Sequence, residues 1–138
     1  MTEELERLRK ILESIRTIAV VGMSTNPEKD SHTVPAYLLE HGYRILPVNP
    51  NASEILGRKS YPRLSEVPEP VDAVLVFRPS EDVPPIVDEA IRIGAKTIWM
   101  QLGISHETAA QAARAAGLEV VMDRCMRTTH RRLFGSTL

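Results

Sequence analysis

Phosphate binding is the first chemistry that the residue types allow. The stretch Gly22-Met23-Ser24-Thr25-Asn26-Pro27-Glu28-Lys29-Asp30-Ser31-His32 gathers a glycine, the hydroxyls of Ser24 and Ser31, the cation of Lys29 and the imidazole of His32. An apolar run precedes it and a helical pattern follows. A helix start offers unpaired N–H groups and the positive end of the helix dipole, which together suit a phosphate. Gly22 lets a ligand approach the backbone. A loop of Gly, Ser and Asn is equally what an ordinary strand-to-helix turn contains, so these residues alone leave both readings open. His32 is expected either to contact the phosphate or to help the helix start.

Nucleophilic chemistry has one candidate, Cys125, the single cysteine, beside Asp123 and Arg124. A neighbouring arginine favours thiolate. Covalent catalysis also needs an adjacent base, and none can be assigned; a small apolar side chain that simply packs is the alternative. A mixed disulfide between Cys125 and a ligand thiol is the sharper form of the idea. His41 stands next to Gly42 at a helix end, where an imidazole favours the dipole. His106 and His130 have no partner that the sequence identifies. No set of His, Cys, Asp or Glu shows metal-ligand spacing, so neither a metal nor a catalytic residue is assigned. Arg78 either pairs with a ligand anion or bonds Asp123 across neighbouring strand ends. Gln101 either binds a ligand amide or caps the next helix. Trp99 belongs in the core.

The elements that would position these groups follow from periodicity. Three times a helical pattern ends at a glycine and a β-rich run follows: Gly42 before Tyr43–Val48, Gly94 before Ala95–Met100, Gly117 before Leu118–Met122. Glycine just past a helix end accepts positive φ without a Cβ clash. Val83, Ile86, Val87, Ala90 and Ile91 form one helical stripe; Pro84 and Pro85 sit where the first turn has no N–H partner to lose. Other helices are expected at Glu3–Ile15, at His32–His41 and from Ser105 to Ala116. Thr17–Val21 and Asp72–Phe77 are continuous apolar runs, the pattern of strands buried on both faces of a parallel sheet. Five strands alternating with helices predict an α/β, three-layer, doubly wound Rossmann-like fold with a five-stranded parallel sheet in the order 3-2-1-4-5. Asn51–Val71, with Pro62, Pro68 and Pro70, reads as loop with one helical turn around Ser65. The chain is expected to be a single domain over 1–138: an N-terminal helix at 1–16, the core at 17–125 and a C-terminal tail at 126–138.

Of 138 residues, 43% are hydrophobic and 25% charged, with a formal net charge of −1. This supplies one ordinary core and no general attraction to nucleic acid or a membrane surface. Arg124, Arg127, Arg131 and Arg132 read as a solvated helix face or tail. A single cysteine excludes an intramolecular disulfide and fits a reducing compartment. No apolar run approaches the ~20 residues of a membrane span. Met1–Lys10 lacks a signal-peptide core. A cytoplasmic protein is expected.

In this architecture ligands bind at the carboxyl ends of the strands, near the switch in strand order. The residues there are the Gly22–His32 loop, Asn49-Pro50-Asn51, Arg78-Pro79-Ser80, Gln101-Leu102-Gly103 and Asp123-Arg124-Cys125. A nicotinamide site would need Gly-x-Gly-x-x-Gly in the first loop and an acid at the end of the second strand. The loop has Gly22 alone, and the strand ends in Pro47-Val48-Asn49-Pro50. An NAD(P)-dependent oxidoreductase is therefore disfavoured, although Asn49 could bond a ribose.

Five pieces taken together resemble the CoA-binding protein family, whose domain is related to the N-terminal domain of the succinyl-CoA synthetase α subunit: Val20-Val21-Gly22-Met23-Ser24, Leu46-Pro47-Val48-Asn49-Pro50, Val76-Phe77-Arg78-Pro79, Trp99-Met100-Gln101-Leu102-Gly103 and Val121-Met122-Asp123-Arg124-Cys125. The resemblance implies coenzyme A or an acyl-CoA as ligand. It places the pyrophosphate over Gly22, Met23, Ser24 and the helix start at Ser31 and His32, with Lys29 as counter-charge. The adenosine would rest on Val48, Asn49 and Pro50. The pantetheine would pass Phe77, Arg78 and Pro79 toward Gln101. Lys29, then Arg58 or Lys59, are the cations expected at the 3′-phosphate. In the synthetase a further domain carries the phosphorylated histidine; this sequence ends at Leu138, and no position inherits that role. A stand-alone CoA-binding module without catalysis of its own is expected, as sensor, carrier or accessory subunit, with a homodimer or partner protein as possible assemblies. The alternatives are the oxidoreductase and an interaction module with a vestigial nucleotide pocket.

Overall fold

Thr2 starts the first helix by accepting a hydrogen bond from the Leu5 N–H at 3.1 Å. The computed structural model describes residues 2–135. Helix α1 (Glu3–Ser14) turns its apolar stripe inward, burying Leu8, Ile11 and Leu12. The chain then runs through β1 (Thr17–Val21), α2 (Asp30–Glu40), β2 (Arg44–Val48), a short hairpin of β3 (Glu54–Ile55) and β4 (Arg58–Lys59), and a 3-10 turn at Leu64–Glu66. There follow β5 (Ala73–Val76), a 3-10 turn at Ser80–Asp82, α3 (Val83–Arg92), β6 (Thr97–Met100), α4 (Glu107–Ala115), β7 (Glu119–Val121) and α5 (Met126–Phe134). The expected helical turn near Ser65 is the first 3-10 turn. The hairpin is new: its β-strands are two residues each, too short to show a period.

The main sheet is parallel, in the order β2-β1-β5-β6-β7. One face packs Ile18, Val20, Leu75 and Trp99 against α1, α2 and α5. The other packs Ala19, Val74, Val76 and Ile98 against α3 and α4. Both faces are covered, which is why the strands read as unbroken apolar runs. The three-layer, doubly wound class expected from the sequence is thus the one observed.

Counting only the main-sheet strands, the order is 2-1-3-4-5, whereas 3-2-1-4-5 was expected; the difference lies in the third strand, β5, which pairs with β1 rather than with β2. The outer edge of β2 is already taken. Tyr61 N–H donates to the Pro47 carbonyl at 3.0 Å, and Asn49 N–H donates to the Tyr61 carbonyl at 2.8 Å. Asp72 then fastens the returning chain to β1: its Oδ2 accepts from the N–H groups of Arg16 and Thr17 at 2.9 and 3.0 Å. Both orders wind outward from β1 in two directions, so both place a crevice at its carboxyl end.

The tail expected from Met126 is, over its described part, the helix α5. Met126, Thr129, His130 and Leu133 are buried against α1 and α2. That is helical spacing with two polar members, Thr129 and His130, which weakens the stripe in the sequence. Ser136, Thr137 and Leu138 lie outside the described residues.

Candidate functional site

A cleft of about 740 Å³ opens at the carboxyl ends of β1, β2 and β5. Its floor begins at Gly22, which turns the chain sharply out of β1 at φ +87°. Gly22 N–H donates to the Val48 carbonyl at 3.0 Å. A Cβ on this residue would stand 3.1 Å from Arg78 Cδ and 3.3 Å from the Phe77 carbonyl group. The missing side chain therefore lets the β1 loop lie against the end of β5.

The loop beyond is built from local bonds. Ser24 N–H donates to the Ser31 carbonyl at 3.2 Å, Ser24 Oγ accepts from Asn26 N–H at 3.0 Å, and Asn26 Oδ1 accepts from Glu28 N–H at 2.9 Å. Asn49 ties this loop to β2: its amide nitrogen donates to the Met23 carbonyl at 2.9 Å, and its Oδ1 accepts from Asn51 N–H at 2.7 Å. Helix α2 carries no side-chain cap. The Lys29 and His32 N–H groups donate to the Asn26 and Lys29 carbonyls at 3.1 and 2.9 Å, which leaves the N–H groups of Asp30 and Ser31 for an anion at the end where Lys29 and Ser31 line the cleft.

Ten of the thirteen residues expected at the site line the cleft: Gly22, Met23, Ser24, Lys29 and Ser31 from the first loop, Val48, Asn49 and Pro50 from the second, Phe77 and Arg78 from the third. Met23 is fully buried beneath the lining. Three do not line it. His32 turns back, with Nδ1 2.7 Å from the Ser24 carbonyl. Pro79 caps the 3-10 turn that leads into α3. Gln101 is 5% exposed and its Oε1 accepts from Met126 N–H at 3.2 Å, so it caps α5 rather than the helix next in sequence.

Arg78 does not bond Asp123. It pairs with Asp82 at 2.9 Å, both side chains being about half exposed. Asp123 instead accepts from Gly103 N–H at 2.7 Å and adopts φ +57°, joining the loops after β6 and β7. Arg58 and Lys59 are also displaced from the site; the Lys59 ammonium sits over the Tyr61 ring at 5.2 Å.

Sequence reasoning missed the wall opposite Lys29. It consists of Pro62, Arg63 and Leu64 before and within the first 3-10 turn, and of Asp82, Pro85, Ile86 and Glu89 around the start of α3. Helical spacing relates Asp82, Pro85, Ile86 and Glu89, which is the signal that was available. Nothing local marks Pro62–Leu64.

Cys125 stands at the N-cap of α5, half-buried and outside the cleft lining. Burial alone pushes its thiol up; hydrogen bonds from the side chain and backbone of Thr128, from Gln101 and from the Arg127 backbone outweigh this and hold it below its usual value. The cause is a helix start and its neighbours, not the arginine that the sequence placed beside it. His106 caps α4, its Nδ1 accepting from Ala109 N–H at 3.1 Å. His130 meets the Tyr37 hydroxyl at 2.9 Å. Trp99 is fully buried and donates to the Arg124 carbonyl at 2.8 Å. Among the described residues no group of three His, Cys, Asp or Glu is placed to hold a metal, and no helix is long and apolar enough to cross a membrane.

Comparison with known proteins agrees with this geometry. The family model for the CoA binding domain matches residues 16–131. An uncharacterised protein of Bacillus subtilis, YneT, is 39% identical over 123 residues, covering 89% of this chain and 91% of that one. An ADP-forming acetate–CoA ligase of Archaeoglobus fulgidus is 33% identical over 95 residues, which is 67% of this chain but 14% of the ligase. The structure of a hypothetical protein from Pyrococcus horikoshii superimposes with a TM-score of 0.92 at 41% identity, covering 98% of this chain and 94% of that one. Carrying that fold, a cleft at its switch point and the family's sequence pattern from Arg16 to Arg131, the chain belongs to the CoA-binding domain family.

Proposed function

We propose that this protein binds coenzyme A or a CoA thioester in the cleft at the carboxyl ends of β1, β2 and β5, and acts as a binding module without chemistry of its own. One arrangement carries the reading. The uncapped start of α2, with Ser24, Lys29 and Ser31, faces a cleft whose floor is the Gly22 turn. A phosphate group suits such a start, the pyrophosphate of a nucleotide included. Val48, Asn49, Pro50, Phe77 and Arg78 line the same cleft of about 740 Å³, beside that start. The family supports CoA as the nucleotide; the single glycine and the absence of an acid at the end of β2 speak against a nicotinamide cofactor. Among the described residues, the hydroxyls of Ser24 and Ser31 have no hydrogen bond to a side chain that could act as their base, which supports binding as the role. One free cysteine supports a reducing, cytoplasmic setting.

Isothermal titration with CoA, acetyl-CoA, ATP and NAD tests this. CoA or acetyl-CoA is expected to bind more tightly than ATP and NAD. Equal binding of all four, or binding of none, refutes the reading.

A further inference from the structure

We infer that Arg63 holds the phosphomonoester on the ribose of the bound nucleotide, and so makes the site select CoA over its dephosphorylated form. The inference rests on the CoA reading above and goes beyond it in naming the selecting residue.

Three cations line the cleft: Lys29, Arg63 and Arg78. They are not equivalent. Arg78 is committed to Asp82 at 2.9 Å. Lys29 stands at the start of α2, where the helix end already favours the pyrophosphate. Arg63, on the opposite wall, makes no ion pair or side-chain hydrogen bond among the described residues. Its backbone is nevertheless fixed. Tyr61, two residues before, is laddered to Pro47 and Asn49. Leu64, directly after, is 1% exposed and packs into the core on the α3 side. The Arg63 carbonyl accepts from Glu66 N–H at 3.1 Å. The residue is thus a tethered cation beside Asn49 and Pro50, the place proposed for the adenosine.

A ribose resting there would lie beside Arg63, the one cleft guanidinium without an ion pair among the described residues. A phosphomonoester carries about −1.5 to −2 charges at pH 7, and a guanidinium fork bonds such a group through two parallel N–H donors, which an ammonium cannot do. Arg58 and Lys59, the neighbouring cations in sequence, do not line the cleft.

The test compares CoA with dephospho-CoA by titration calorimetry, on the wild type, Arg63→Ala, Arg63→Lys and the control Lys59→Ala. The side chain is exposed, so about a two- to fivefold preference of the wild type for CoA is expected at low salt, shrinking as salt is added. Arg63→Ala should lose that preference while binding dephospho-CoA as the wild type does, which also shows that it folds. Arg63→Lys should recover part of it, and Lys59→Ala should keep it whole. A wild type that binds both compounds equally, or an Arg63→Ala that weakens both by one factor or neither, overturns the role of Arg63 while leaving CoA binding intact. A wild type that binds neither compound overturns both.

Discussion

Gly22 is the point where fold and site depend on one missing side chain, and Gly22→Ala tests how. The substitution adds two costs that can be separated. The first is conformational: φ is +87°, and holding an L-residue in left-handed backbone costs roughly 1–2 kcal/mol. The second is contact. The new Cβ would lie 3.1 Å from Arg78 Cδ and 3.3 Å from Phe77 C and O. Arg78 can swing aside; the β5 backbone cannot, because Phe77 N–H is bonded to the Val21 carbonyl at 2.9 Å. The loop must therefore give, and crowding of this kind costs about 1–3 kcal/mol. Gly117 supplies the reference, since it has φ +92° but nothing within 4 Å of an added Cβ. Urea unfolding followed by circular dichroism should show Gly117→Ala destabilised by about 1–2 kcal/mol and Gly22→Ala by about 2–5 kcal/mol. Adding Arg78→Ala to Gly22→Ala should recover only part of the difference, because Phe77 remains. Equal losses for the two glycines would refute the contact argument, and full recovery on removing Arg78 would refute the role given to the β5 backbone.

Other consequences follow from α5 and its neighbours. Met126 is fully buried, so Met126→Ala should lower the unfolding free energy by about 2–5 kcal/mol in urea titration; a change within 0.5 of zero, roughly the scale of surface substitutions, would mean that α5 does not belong to the core. His130 has its pKa held below the ordinary 6.5, first by burial and then by His41. The unfolded chain therefore takes up this proton first as pH falls, so the stability present above the ordinary value is lost on acidification toward the lowered one; His130→Asn should flatten that part of a melting-temperature profile between pH 8 and 5. The lowered Cys125 thiol should alkylate with an inflection below that of free cysteine, shifting upward in Thr128→Val, and intact mass should reveal a reducible adduct after incubation with oxidised CoA. No adduct would remove the mixed-disulfide idea while leaving the titration intact.

The parts of the fold that sequence made legible are those written in a period. The stripe of α3, the apolar runs of β1 and β5, and the glycines before β2, β6 and β7 each carry a local physical requirement, and their elements appear within two residues of expectation. What sequence hid depends on pairing between distant residues. Nothing near Tyr61 announces that it will close the outer edge of β2, and that closure decides the place of β5. The α5 stripe was hidden for another reason: Thr129 and His130 are buried polar groups, acceptable there because His130 bonds Tyr37. At the site, ten residues follow from the loop positions, whereas His32 and Gln101 carry the right chemistry but spend it on the protein itself.

The same long-range pairing explains why the missed wall matters for selectivity. Had the third strand been added outside β2, the chain from Asn51 to Val71 would have crossed beside that strand and away from β1. With Tyr61 on the β2 edge, the crossover starts at the carboxyl end of the sheet and descends its α3-side face to the start of β5, with Leu64, Val67 and Val71 packed against that core. Pro62 and Arg63 are thereby brought opposite Lys29. The cradle at the start of α2 belongs to the winding of the fold and would suit many phosphates; the opposite wall includes Pro62 and Arg63, exposed residues of an irregular crossover whose side chains can differ without disturbing the sheet. General anion binding and ligand choice are thus assigned to two segments with different structural duties, and substitution at Arg63 should change the second while leaving the first and the fold unaltered.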